Sequence, residues 1–507
     1  MAVSANTQIE QGASGPWHYY LAQMLAALIA LLVPVLLLQY AGVGFFGVVA
    51  FASVLQACLQ LCDLGLSATL TRSCAIASNT APGAMPRAMM LKSERWVFLS
   101  STLVGVALID PILHVYQNWS TVSAGQHVSL DDALWWIMVS IVTRNQLELY
   151  RGALVGSRQL KWLATEIFGA SSFRLVALIG LILVDGLTLS SYYLINIIVN
   201  ALELVLMRSK VLRLFTDKSC GESKIQGIEI PWRFSFSMVF AAFLWVAFSQ
   251  TDKIYLSRLW SVNQFAEYSA ATLLASGILI ITQPLQGIFS TRLAVRYAEG
   301  NLQNLVADYR LATRWAGFLI WPLCSVLVFR ANDVLRVWTD NPTIAAHAML
   351  VLAGYALGNG LIALGAVNFY LQFALGQLRR HVFGAFLFLV VLVPILFWAA
   401  AEFSLDGAGG AWAITNVIFF LTWLPYIHRK LLPFSFWEWL CKDVMPFLVS
   451  PMLIMLLLLP FSISGNRFWA MIELGLCYMI SALITALAMK ECRHWLRQFF
   501  RKWRPYF

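Results

Sequence analysis

HYYLAQMLAALIALLVPVLLLQY, residues 18–40, runs through 23 positions without one charged side chain. As a helix it rises about 35 Å at ~1.5 Å per residue, enough to cross a hydrocarbon core of ~30 Å. Residues 1–17 offer no basic segment ahead of it, so the run is read as a membrane helix and not as a secretory leader. Runs of the same character recur at 44–66, 96–116, 133–155, 163–184 and 187–208. Past a polar stretch they resume at 234–257, 262–285, 314–334, 343–367, 380–401, 408–428, 443–461 and 467–489. The pattern predicts an all-α polytopic membrane protein with about fourteen transmembrane helices. Composition agrees: the 507 residues are 60% hydrophobic and 12% charged, with mean hydropathy +0.72, where a soluble domain carries roughly 25% charged residues. Soluble enzymes, nucleic-acid-binding proteins and disordered scaffolds are excluded on this ground.

The net charge of +10 is explained by where the basic residues fall. Of the 35, 28 lie in alternate gaps and in the tail, five lie in the other gaps, and Arg144 and Arg174 lie inside spans. That asymmetry is the positive-inside rule, and it places both termini in the cytoplasm. The resulting organisation is a cytoplasmic tail (1–17), a six-helix lobe (18–208), a cytoplasmic linker (209–233) and a second six-helix lobe (234–430). Two additional helices (431–489) and a basic cytoplasmic tail (490–507) follow. A weak repeat at an offset of 220 supports the two halves, setting Phe45, Asp63, Thr71 and Arg72 against Phe265, Gln283, Thr291 and Arg292. In the tail, Trp495, Phe499, Phe500 and Trp503 interleave with basic residues, a composition suited to an anionic leaflet. Asn118-Trp119-Ser120 matches a glycosylation sequon, a pattern common by chance.

Motifs for ATP or for covalent chemistry are missing. There is no Gly-Lys dipeptide, hence no Walker A loop. The seven histidines are scattered singly, and no Ser/His/Asp, Cys/His or zinc-protease pattern occurs, so no catalytic residue, metal or cofactor is assigned. Cys58 and Cys62, one helical turn apart, read as small apolar filler.

The informative residues are the charges inside the spans, which are costly there and mark function. Arg144 and Arg174 each lie eleven residues into a span, about 16 Å deep and near the midplane. Inserting each costs roughly 2.5–3.5 kcal/mol, so each is expected to face a wet or protein-lined interior. Arg144, Glu148 and Arg151 share one helix face at i, i+4 and i+7, and Gln56, Gln60, Asp63 and Ser67 form a polar stripe on the second span. Counting Arg144, Arg151, Arg174, Glu148 and Glu166, the fourth and fifth spans keep a positive excess. A cationic cavity suits an anionic substrate, and guanidinium binds phosphate oxygens through its planar fork. Substrate binding is therefore assigned to Arg144, Arg174, Arg151, Gln56 and Gln60, and ion coupling to Glu148 and Asp63. A structural alternative pairs Arg144 with Glu148; Lys253 beside Asp252 reads as a local interfacial pair.

Particular strings add a family. Phe46-Gly47 through Asp63-Leu64-Gly65-Leu66-Ser67-Ala68 to Thr71-Arg72 resembles the second helix of the Wzx-type O-antigen and polysaccharide flippases, within the multidrug/oligosaccharidyl-lipid/polysaccharide exporter superfamily. Gln250-Thr251-Asp252-Lys253-Ile254-Tyr255-Leu256-Ser257 with Phe265-Ala266-Glu267-Tyr268 looks like that family's seventh helix and the loop after it. The resemblance implies two lobes opening alternately to each face of the inner membrane. It also implies a cargo of oligosaccharide linked to undecaprenyl pyrophosphate, membrane lipids as surroundings, and a polysaccharide polymerase and chain-length regulator as partners. The uncharged stretch 18–40 departs from the lipid II flippase branch, which carries arginines in its first helices. Asp63 and Glu148 keep open a cation-coupled multidrug antiporter, which relies on acidic residues in early helices. A membrane-embedded polymerase or glycosyltransferase is a third reading, against which the longest external loop, around 117–132, is short.

The topology is directly testable. Reporter fusions after Ser120 and Ser404 should report the outer side, and those after Lys218 and Lys502 the cytoplasm. An outer-side signal at Lys218 contradicts the two-lobe assignment.

Overall fold

The computed structural model describes residues 3–80, 87–110, 112–115, 131–214 and 232–488. The sequon at Asn118, the fusion points Ser120, Lys218 and Lys502, and the basic tail 490–507 lie outside the described residues, as does most of the linker 209–233. The described chain is predominantly helical, with no strand among the described residues, and ten of its helices are long and apolar enough to cross a membrane.

The first half contains α1 (Val3–Tyr40), α2 (Val43–Leu59), α3 (Leu66–Thr80), α4 (Arg87–Ala107), α5 (Asp131–Gly156), α6 (Leu160–Leu183), α7 (Leu189–Leu214) and α8 (Trp232–Leu259). The second contains α9 (Val262–Ala298), α10 (Leu302–Phe329), α11 (Ala331–Thr339), α12 (Pro342–Ala374), α13 (Leu378–Leu431), α14 (Phe436–Trp439), α15 (Met445–Leu458) and α16 (Arg467–Ala488). Helices stand at all fourteen expected positions. Among them α4, α5 and α8 fall outside the ten: α4 opens with Arg87, Lys92, Glu94 and Arg95, and α5 carries Arg144, Glu148 and Arg151. α4 begins nine residues ahead of the expected 96.

Two departures from the expected spans have clear causes. The second span does not run on as one helix through Ser67. After α2 the chain tightens into a 3-10 turn at Gln60–Asp63, then passes through left-handed Leu64 (φ 53°) and Gly65 (φ 69°). Gly65 meets that backbone demand without a Cβ, and the Asp63 carboxylate accepts its amide N–H at 2.6 Å. Gln56, Gln60, Asp63 and Ser67 are therefore not one helical stripe; Ser67 belongs to α3. In α13 the 53 residues Arg379–Leu431 would reach about 80 Å if straight. Ser404 (φ 52°, ψ −132°) breaks the run, and the chain doubles back. Phe388 then meets Phe419 at 5.4 Å between ring centroids, and Phe383 meets Trp423 at 5.9 Å. The two arms match the expected runs 380–401 and 408–428.

The chain sorts into two compact units, Met1–Ala266 and Glu267–Phe507. In the first, α5 is the hub, packed by α3, α4, α6 and α7, while α1 lies along α6. The close approach of α5 to α3 depends on Gly152-Ala153-Leu154-Val155-Gly156, a small-xxx-small spacing that lets helix backbones meet. A Cβ at Gly156 would sit 2.3 Å from the Thr71 carbonyl oxygen, and the Thr71 hydroxyl donates to the Gly152 carbonyl at 3.0 Å.

In the second unit α12 packs on both arms of α13, and the final hairpin, α15 and α16, packs on α10. Guanidinium groups hold that hairpin at its ends. Arg314 pairs with fully buried Asp443 at 2.9 Å, and Arg310 with Glu438 at 2.9 Å. Arg330 donates to the carbonyls of Leu458 and Phe461, Arg336 to Ser464, and Arg467 to Val337. Three of the five basic residues on the charge-poor side are thus bound to backbone carbonyls at helix ends, where a positive charge is favoured.

Candidate functional site

The polar residues of the first unit gather around α5. Glu148 and Arg151 lie a turn apart and pair at 2.8 Å (Oε1 to Nη1). Arg151 also reaches across to Glu203 on α7, 3.2 Å from its Nη2 to Oε2. The other Glu203 oxygen meets Nη2 of Arg174 on α6 at 2.6 Å, and Arg174 donates to Asn200 Oδ1 at 2.7 Å. Asn200 in turn donates to the Ser140 carbonyl of α5 at 3.2 Å. One continuous network therefore ties three helices: Glu148, Arg151, Glu203, Arg174, Asn200 and Ser140. Glu203 is 2% exposed, and a carboxylate so buried persists as a charge only when paired. Two guanidiniums supply that pairing.

The sequence-predicted site residues divide under this geometry. Arg151 and Arg174 are both neutralised by Glu203. Glu148 pairs with Arg151, which overturns the alternative that it locks to Arg144. Half-buried Arg144 has no ion pair and no side-chain hydrogen bond among the described residues. The positive excess counted on the fourth and fifth spans does not survive folding, because Glu203 and Asp63 are brought into the same cluster. Three guanidiniums (Arg144, Arg151, Arg174) now face four carboxylates (Asp63, Glu148, Glu166, Glu203). The two Glu166 oxygens are shielded from solvent and have no hydrogen-bond partner among the described residues.

Beside the network lies a cavity of ≈470 Å³ bounded by α1, the Gln60–Asp63 turn, α3, α5, α6 and α8. Gln60, Asp63, Glu148 and Arg151 line it, together with Gln23, Asn145 and Trp245. Gln56, Arg144 and Arg174 do not. Asp63 carries a structural duty as well, since it caps the turn that starts α3. Lys253 bonds its neighbour Asp252 at 3.0 Å, the local pair expected of it.

Glu203, Asn145 and Asn200 were given no role from sequence. The signal for two of them was present: Asn196, Asn200 and Glu203 stand at i, i+4 and i+7, one face of α7. What the sequence lacked was the partner helix, since Arg174 and Glu203 are brought together only by tertiary packing.

No protein-family model matches the sequence, and no curated protein matches it. Solved structures do. The Vibrio cholerae MATE transporter VcmN is similar with TM-score 0.61 and 17% identity, over 84% of this chain and 98% of its own. The lipid II flippase MurJ, in an inward closed conformation, is similar with TM-score 0.64 and 14% identity, over 92% of this chain and 97% of its own. A MOP superfamily transporter from Pyrococcus furiosus gives TM-score 0.59 and 13% identity, over 83% and 96%. The fold is thus one shared with these solved transporters, and the chain is a multi-pass membrane protein.

Removing the shared carboxylate should expose how the network is balanced. Glu203→Ala strands Arg174 and half of Arg151, and breaking a buried pair costs about 3–5 kcal/mol. The melting temperature of the purified protein and its abundance in the membrane should both fall. Glu203→Leu combined with Arg174→Leu should recover most of the loss, since Arg151 keeps Glu148. Wild-type stability of Glu203→Ala would show that the network carries no weight.

Proposed function

We propose that the protein is an inner-membrane flippase carrying an oligosaccharide linked to undecaprenyl pyrophosphate, an O-antigen or related repeat unit, from the cytoplasmic to the outer leaflet. The observation that carries this reading is Arg144, a guanidinium inside the span 133–155 that has no ion pair among the described residues. Its neighbours Arg151 and Arg174 are compensated; Arg144 is the one positive charge of the cluster left for an external anion. A pyrophosphate offers the oxygens its planar fork takes bidentately. The shared fold with a lipid II flippase is in keeping with a lipid-linked cargo. In this reading the lobes 18–208 and 234–430 alternate in access with both termini cytoplasmic. The protein is a transporter without cofactor, working among membrane lipids beside a polysaccharide polymerase and chain-length regulator.

A second reading, a cation-coupled antiporter of small molecules, draws on Asp63 and Glu148 standing in one cavity. The two readings separate at Arg144. Under the flippase reading, Arg144→Ala removes a hydrogen bond to a charged group, worth roughly 1.5–3 kcal/mol, so cargo affinity should fall about ten- to a hundredfold. Arg144→Lys keeps the charge without the fork and should restore only part of it. The measurement is surface polysaccharide per unit of membrane protein in a complemented strain. Because Glu148 pairs with Arg151, abundance of Arg144→Ala should stay near wild type. Full polysaccharide at that abundance would contradict the headgroup role.

A further inference from the structure

The ≈470 Å³ cavity of the first unit has the size of a small-molecule site, and its lining is unlike that of an anion site. Asn145 is 1% exposed. Its Nδ2 donates to the Leu59 carbonyl at 2.8 Å and to Ser101 Oγ at 3.2 Å, which fixes the amide so that Oδ1 is the acceptor left over. That oxygen is buried and has no hydrogen-bond partner among the described residues. Asp63 and Glu148 add carboxylate oxygens to the same wall, and Gln60 adds an amide. Carboxylate and amide oxygens are hydrogen-bond acceptors, so this lining suits a ligand that brings O–H or N–H groups. Phosphate brings oxygens only. Two carboxylates against one guanidinium, already shared between Glu148 and Glu203, also set the local charge against anions. Trp245, Leu163 and Ile167 supply apolar lining suited to the C–H face of a ring.

We infer that this cavity is a saccharide subsite, which takes one neutral or amino-bearing sugar ring of the cargo through its hydroxyl and N–H donors and rejects acidic sugars. The assignment rests on the flippase reading for the presence of a sugar, and it separates the two parts of such a cargo. Arg144 and Asn145 are successive residues on α5, turned about 100° apart. Arg144 lies off the cavity and serves the phosphate; Asn145 lies on it beside Gln60, Asp63 and Glu148, whose acceptor oxygens serve the sugar.

The test uses the full chain in lipid nanodiscs and three protonated probes read by saturation-transfer NMR: methyl N-acetylglucosaminide, glucuronate and tetramethylammonium. Inorganic pyrophosphate is followed in parallel by phosphorus NMR line broadening. The neutral glycoside should bind wild type at least tenfold more tightly than glucuronate. Gln60→Leu and Trp245→Ala, which remove no hydrogen bond of the fold described above, should each weaken it at least fivefold without changing pyrophosphate binding. Arg144→Ala should do the reverse. Equal binding of glucuronate, or no loss in both cavity variants, overturns the subsite. Tighter binding of tetramethylammonium, which has no N–H donor, with displacement of the glycoside would assign the cavity to an organic cation and overturn it too. Absent glycoside binding with intact pyrophosphate binding removes the subsite and leaves the headgroup reading. Glycoside binding without pyrophosphate binding removes the headgroup reading and supports the subsite.

Discussion

A carboxylate in a membrane interior must find positive charge, and Glu203 finds it twice. Its two oxygens take Arg151 of α5 and Arg174 of α6, so the side chain of α7 joins three helices at one point. Attraction between unlike charges strengthens as the effective dielectric falls, but so does the penalty for leaving either partner alone. The pair is therefore best understood as a constraint: once Glu203 is buried, α5, α6 and α7 must present both guanidiniums to it. Asn200 and Ser140 then orient Arg174, and Glu148 completes Arg151. The consequence is selective. Of the three arginines in this cluster, Arg151 and Arg174 are used up by the fold, and Arg144 is left without an ion pair among the described residues.

The same logic recurs in the second unit with a different outcome. Buried Asp443 takes Arg314, and Arg330, Arg336 and Arg467 bond backbone carbonyls at the ends of α11 and the last hairpin. There the guanidiniums are consumed by helix ends and no surplus remains at those sites. The contrast gives the first unit its functional character, because its cluster combines, among the described residues, a guanidinium without an ion pair at Arg144, a carboxylate without hydrogen bonds at Glu166, and a cavity.

Much of this was legible before the fold was known. Apolar runs of spanning length located helices at every expected position, because burial in lipid forbids charge and irregular backbone alike. The reversal at Ser404 was readable too, since 53 apolar-rich residues exceed one bilayer. The break at Asp63-Leu64-Gly65 was missed because periodicity continues across it; only Gly65 and a capping acid mark the turn, and both also occur within helices. Arg144 and Arg174 stood out as intramembrane charges, but their sequence contexts are equivalent, and only contact with Glu203 distinguishes the compensated one from the free one. Charge counted along two spans gave a positive site. Charge counted in space, with α7 and the α2–α3 turn included, gave one with an acidic excess and its polarity divided between neighbouring positions.

The central claim is that the fold neutralises Arg151 and Arg174 and reserves Arg144 for the cargo's phosphates. A cryo-electron microscopy map of the protein bound to a prenyl pyrophosphate, at a resolution that shows side chains, tests it most directly. The account predicts Glu203 still between Arg151 and Arg174, with phosphate density at Arg144. Phosphate density at Arg174 with Glu203 displaced, or phosphate density against Asn145 in the cavity, would contradict it.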